Sequence, residues 1–416
     1  MSSLKYWIWL SSANGVGAVT AGQLLAHFGS PEKVFFAGAQ EYGGVGGITR
    51  GDIKQLMNKD LAPANDILSS CTEAGCRIMT IQDAEYPDRL RNTYDPPVIL
   101  YIRGKLPVID DEAAVAVVGT RNCSPYGIAA AETISYTLAR HGLIVVTGLA
   151  RGIDTAAALG ALRGGGRVVA VIGSGVDVVY PPENAALFDD VARSGAILSE
   201  YPPGTPAAAG HFPARNRILS GLSLGVAVLE APKKSGALIT ASRALEQGRD
   251  VFAMPGNVDA KYSEGSNLLL REGAIPLLSA ANIIDEYAEL FPDKITSDAD
   301  LTLLDQRAGE RLLKSSPGAG RGGENDAKND GKKEIDNTSG VEYIDLDIIL
   351  SELSGDEKTV AESIGLSVLQ VDEIIVKTGL PASQVLTALT ILGISGYVKR
   401  SSGSYYSLTT SQKPDL

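Results

Sequence analysis

Residues 114–127 read AVAVVGTRNCSPYG. Ala114 to Val118 form an apolar run of strand length that ends directly on Gly119, Thr120 and Arg121. An unbroken apolar run, with no alternation, is the mark of a strand buried on both faces. The same pattern recurs downstream at Leu143–Val146, Val168–Ile172, Ala196–Ser199, Gly225–Glu230, Val251–Met254 and Ala274–Leu278. Helical stretches separate the runs, so each connection is a crossover and the strands run parallel. The expected fold of this region is α/β: a doubly wound, mostly parallel, Rossmann-like sheet.

In such sheets ligands sit beyond the carboxyl ends of the strands. Gly119-Thr120-Arg121 follows the first strand and Gly148-Leu149-Ala150-Arg151-Gly152-Ile153-Asp154 the second. Gly173-Ser174-Gly175 follows the third, Lys233-Lys234-Ser235-Gly236 the fifth, with Thr240 a turn further on, and Pro255-Gly256 the sixth. Phe212, Arg215, Asn216 and Arg217 precede the fifth. One glycine turn after a strand can serve packing alone. Several on one rim, carrying arginine and lysine, suit a longer polyanion, because glycine lets backbone N–H groups approach phosphate and arginine grips it with two donors.

Charge supports a focused site. The whole chain carries −12, which argues against a protein that coats nucleic acid over its entire surface. Between 113 and 290, 14 basic residues face 16 acidic ones, yet Arg121, Arg151, Arg215, Arg217, Lys233 and Lys234 all fall at or beside strand ends. Their competing role is pairing with Asp154, Glu200 or Glu230. Phe212 is either a stacking platform for an unpaired base or a core residue. Arg121 and Arg217 are the expected phosphate grips.

The runs VVGTRNCSPYG, VVTGLARGID, AVIGSGVDVVYP, LSEYPPG, FPARNRILSGLS, EAPKKSGALITA and GRDVFAMPG are similar, in order and spacing, to the DprA/Smf family. The resemblance is dense over residues 80–290. It implies a protein, not an enzyme, that binds single-stranded DNA, forms a homodimer and helps load the RecA recombinase during natural transformation. Carried over residue by residue, it implies a DNA site at Gly119, Thr120, Arg121, Gly148, Arg151, Phe212, Arg215, Asn216, Arg217, Lys234, Ser235, Gly236 and Thr240, with no metal and no cofactor. Two positions depart from the family pattern. Ala158 stands where histidine is frequent, and Pro182 where lysine is frequent, which removes one phosphate contact.

Outside the sheet, residues 1–80 read as short helices. Gly15-Val16-Gly17 before Thr20–Leu25 is either a helix-hairpin-helix turn able to seat a phosphate or a plain helical turn. Residues 81–292 hold the sheet, and 293–340 read as a flexible linker rich in glycine, serine and charge. Residues 341–410 suggest a winged-helix domain: Gln370–Thr378, a turn, then a helix Gln384–Leu392 capped by Ser383, then a hairpin around Ser402-Gly403. That module is acidic, with five basic against ten acidic residues over 341–416, and its second helix has no Lys or Arg. It is expected to bind protein rather than duplex DNA.

The competing function is a nucleotide-hydrolysing phosphoribohydrolase-like enzyme, with Glu200 and Glu230 as an acid–base pair. The turn Ser235–Thr240 lacks a glutamate at the spacing such enzymes use, since the first is Glu246. A dinucleotide-dependent oxidoreductase would need a GxGxxG turn and an acidic residue ending the second strand, and neither is present. Cys71, Cys76 and Cys123 fit neither a CxxC half-site nor a disulfide framework, and are expected as free thiols. The start, MSSLKYWIWLSSANG, has too short an apolar run for a secretory signal, and no run reaches membrane-span length, so a cytoplasmic protein is expected.

Overall fold

The computed structural model describes residues 3–13, 15–297, 353, 355–364, 369–394, 397–401 and 405–408. Strands β1 (Arg77–Thr80), β2 (Ile99–Gly104), β3 (Ala114–Val118), β4 (Ile144–Thr147), β5 (Val168–Val171), β6 (Ala196–Ser199), β7 (Gly225–Val228), β8 (Asp250–Ala253) and β9 (Ile275–Pro276) form one sheet. Its order is β1-β2-β6-β5-β4-β3-β7-β8-β9. Pairing is parallel from β6 across to β9, with Val118 opposite Val228 where β3 meets β7. Strands β1 and β2 add an antiparallel edge, with Tyr101 opposite Ser199.

All seven expected strands are present. Every residue of β3 to β7 is buried, which is why their sequences are continuous apolar runs. Alternate residues supply two cores. Val115, Val117, Val145 and Ala227 face one side, and Ala116, Val118, Val146 and Val228 the other. The expected ends shift by a few residues: Gly225–Glu230 is strand only to Val228, and Ala274–Leu278 only over Ile275–Pro276. The edge strands β1 and β2 were not anticipated. The sheet therefore begins at Arg77, inside the stretch read as helical.

The helices Leu4–Ser12, Ala18–Phe28, Pro31–Phe36, Ala39–Gly43, Arg50–Leu56 and Ala62–Glu73 precede the sheet. Trp7, Ile8, Leu10, Leu24 and Leu56 join the same core as Ile99, Tyr101 and Val115, so these helices and the sheet form one compact unit. Gly15 has φ of +85°, as a turn between two helices requires.

The second unit has helices Gly355–Ile364, Val371–Thr378 and Ala382–Ile394. A three-stranded sheet completes it, with Tyr405–Leu408 between Leu369–Gln370 and Val398–Ser401. Val360, Ile374, Val385, Leu389 and Tyr406 form its core, and the arrangement is a winged helix. Ser383 is not the cap of its last helix. That helix starts at Ala382, and Gln384 and Val385 donate to the Pro381 carbonyl. The proposed linker lies outside the described residues, apart from 293–297. Among the described residues no single helix is long and apolar enough to cross a membrane.

Candidate functional site

Chain order reverses in the sheet between β3 and β7: β4, β5 and β6 extend one way from β3, and β8 and β9 the other way from β7. Loops that leave neighbouring strands in opposite directions open a crevice at this point. A cavity of about 300 Å³ lies there. Gly119, Thr120, Arg121, Phe212, Arg215, Asn216, Lys234, Ser235, Gly236 and Thr240 all line it, together with Asn122, Ala150, Asp154 and Pro232.

Local sequence explains how each loop is held. After β3, the backbone N–H of Thr120 donates to the Glu230 carbonyl at 2.7 Å, stitching the β3 loop to the end of β7. The buried Glu230 side chain accepts from the Ser124 backbone at 2.8 Å and from the Ser124 hydroxyl at 2.5 Å. Ser124 in turn caps the helix Pro125–Arg140. Glu230 is therefore occupied as a loop clamp. After β4, Gly152 has φ of +77°, and a Cβ there would meet the Thr120 carbonyl at 2.5 Å, so the two loops touch backbone to backbone. After β7, Ser235 caps the helix Gly236–Glu246, accepting from Ala237 at 3.3 Å, and the start of that helix faces the cavity.

The helix His211–Leu222 supplies the floor. Arg215 is buried, donates to the Gly148 carbonyl at 3.1 Å, and leaves its Nε without a partner. Asp154 lies beside it and accepts from the Gly148 N–H at 3.1 Å. A Cβ on Gly148 would sit 2.4 Å from Arg215 and 2.6 Å from Asp154, so glycine there permits the pair. Burial pushes the Asp154 carboxyl up to about 6, against the opposing pull of Arg215 and of backbone hydrogen bonds. Burial lowers Arg215 to about 10, with Asp154 opposing. Asn216 donates to the Gly236 carbonyl at 3.3 Å, tying this helix to the next.

At the mouth, Arg121 is exposed, and its guanidinium carbon lies 4.6 Å from the centre of the Phe212 ring. Lys233 and Lys234 are exposed as well. Among the described residues none of these three cations pairs with a carboxylate. The cavity thus offers free positive charge, hydroxyls from Thr120 and Thr240, and a half-buried aromatic ring, a set suited to phosphates joined to planar bases.

Three expected residues stand apart. Gly148 lies behind the Arg215–Asp154 pair and does not line the cavity. Arg151 is exposed and ion-paired to Glu183, with one contact of 3.1 Å. Arg217 points to the other side of its helix. There it is buried and holds Asp95 at 3.2 Å and Glu200 at 2.7 Å, in a cleft facing the N-terminal helices. Burial opposes its charge, but Glu200 and Asp95 outweigh that and keep its pKa above the ordinary arginine value. The expectation that Arg217 grips phosphate does not survive, because two carboxylates already satisfy it. Glu200 is engaged in the same pair, so it and Glu230 form no acid–base couple at the cavity. Ala158 is fully buried in the helix Ile153–Arg163, away from the rim.

Sequence reading passed over Tyr180, whose ring centre lies 5.7 Å from that of Phe212. The signal was present in the tyrosine of VVYP, but nothing local says which way that loop folds.

The DNA recombination-mediator protein A family matches residues 77–288, and the DprA winged-helix domain family matches residues 349–404. Protein Smf of Synechocystis is 37% identical over 317 residues, covering 75% of this chain and 77% of its own. The DNA processing protein DprA of Streptococcus pneumoniae is 46% identical over 208 residues, covering 50% of this chain and 73% of its own. The solved structure of DNA processing protein A from the same organism superposes with a TM-score of 0.61 at 35% identity, covering 69% of this chain and 99% of that one.

Proposed function

From the premise that the chain belongs to the DprA/Smf family of DNA-processing proteins, we propose that it binds single-stranded DNA in the cavity between β3 and β7. Arg121, with Lys233 and Lys234, contacts phosphates, and Phe212 offers its ring to a base. The observation that carries this reading is the contrast among the arginines. Arg217 is neutralised by two carboxylates, whereas Arg121 sits unpaired on an aromatic ring at the mouth of a cavity. Duplex DNA hides its base faces in the stack, so a cavity that presents an aromatic ring favours single strands.

The protein acts by binding rather than by catalysis. Glu200 and Glu230, the candidate acid–base pair, are held by Arg217 and Ser124, and Asp154 in the cavity wall is held by the Gly148 N–H beside Arg215. The family setting extends the proposal: a homodimer in the cytoplasm that protects incoming DNA and helps load the RecA recombinase during natural transformation. The test is fluorescence anisotropy with labelled oligothymidylate and with a duplex of equal length. Wild type should prefer the single strand, and Arg121→Glu should lose that preference. Equal affinity for both substrates, unchanged by Arg121→Glu, would place the site elsewhere.

A further inference from the structure

The aromatic row at the cavity mouth does not stop at Phe212. Tyr180 stands next to it, tilted by 41°, with 37% of its surface exposed. Its loop is held firmly. The buried Asn184 donates to the Leu149 carbonyl at 3.0 Å and to the Thr155 hydroxyl at 2.8 Å, tying the Tyr180 loop to the β4 loop. Arg151 projects from that β4 loop and reaches Glu183 in the Tyr180 loop. An exposed ring on an anchored loop, flanked by an exposed arginine, is preorganised for a nucleotide, because little freedom is lost when a base stacks on it.

We propose that the bound strand leaves the cavity across Phe212 and sets a further base on Tyr180, with Arg151 turning from Glu183 to the adjoining phosphate. This rests on the reading of the cavity as a single-strand site. The Arg151–Glu183 pair is solvent-exposed on both sides, and such pairs are weak, so a phosphate can displace the carboxylate. Glu183 then has two effects. It keeps Arg151 in position while the site is empty, and it competes with DNA for the same guanidinium. The carboxylate stands beside Pro182, the position where a lysine is frequent in the resemblance noted above, so this chain carries a competitor next to a missing contact.

The test uses the full chain and fluorescein-labelled oligothymidylates of graded length. Tyr180→Ala should weaken binding by about 5- to 20-fold, within the range measured for base–aromatic stacking, and should shorten the minimal tight-binding length. Tyr180→Phe should restore wild-type affinity, which separates loss of the ring from loss of fold. Glu183→Gln should strengthen binding by about 2- to 5-fold at low salt, as expected for removing a weak competing charge. It should also steepen the log–log salt dependence by about 0.7 if the freed Arg151 gains one phosphate contact on a single strand. If Tyr180→Ala binds like wild type while Arg121→Glu has lost binding, the strand does not pass Tyr180 and the cavity reading stands. If Arg121→Glu also binds like wild type, the cavity reading itself fails. A Tyr180→Phe variant as weak as Tyr180→Ala would assign the effect to the hydroxyl rather than to the ring and overturn the proposal.

Discussion

Two parts of this chain have folds associated with nucleic acid, and their charges differ in kind. The sheet domain is nearly neutral, yet among the described residues Arg121 and Lys234 line one crevice without a carboxylate partner, with exposed Lys233 next to them in sequence, while other arginines are tied to carboxylates. The winged helix has the shape of a duplex reader, but residues 341–416 carry a net −5, and the helix Ala382–Ile394 has no cation at all. Counterion release cannot drive an acidic surface onto a phosphate backbone. The comparison teaches that the placement of unpaired charge, not the name of the fold, decides where a polyanion can bind.

The comparison depends on telling structural arginines from ligand arginines, and the largest expected effect tests that distinction. Arg217→Ala should lower stability by about 2–4 kcal/mol, because it strands Asp95 and Glu200 in a partly buried cleft. The folded fraction should bind single strands within about twofold of wild type, since surface-remote changes leave a binding site intact. Urea unfolding and anisotropy on the same preparation check both halves.

Asp154 supports the rim from below and brings a pH dependence. Its folded pKa of about 6 lies above its usual value of 3.8, so the folded state holds the proton more tightly. The stability this contributes is full below about pH 4, declines as pH rises towards 6, and is flat above. Asp154→Asn cannot titrate. The stability difference between the two proteins should therefore shift by on the order of 2–3 kcal/mol between pH 4 and pH 7. Unfolding midpoints measured across that range should diverge. Parallel curves would mean that Asp154 titrates normally.

Arg121→Glu strikes the rim directly. It should cost about 1.5–3 kcal/mol of single-strand affinity, tenfold or more, as a charge-assisted phosphate contact turns repulsive. The smallest effect sharpens the other side of the comparison. A chain ending near Asp305 should keep its single-strand affinity within about twofold at physiological salt, because an acidic module adds no counterion release. The fragment 341–416 should show no measurable affinity for duplex DNA. A micromolar duplex complex with that fragment, abolished by Lys399→Ala with Arg400→Ala, would reverse the comparison.

Much of this was legible in advance for a physical reason. Strands buried on both faces must be apolar throughout, so β3 to β7 announced themselves. Glycine-rich turns after strands announced the rim. The edge strands did not. Arg77–Thr80 is short and half exposed, and Ile99–Gly104 lies in a stretch without crossover helices, so neither repeats the signal of the central sheet.

Sequence by itself therefore determined the parallel sheet, the acidic winged helix, and the loops that gather at one edge, because burial and crossover connections leave a periodic trace along the chain. Tertiary structure alone decided which charges are free. Arg215 and Arg217 lie two residues apart on one helix, and the turn of the helix sends the first beneath the cavity and the second into a cleft holding Asp95 and Glu200. Asp95 is more than a hundred residues from Arg217 in sequence, and Glu183 meets Arg151 from the loop after the next strand. Pairing of charges across the fold leaves no mark on local sequence, since any surface loop tolerates an acid or a base until the chain closes and sets one beside the other.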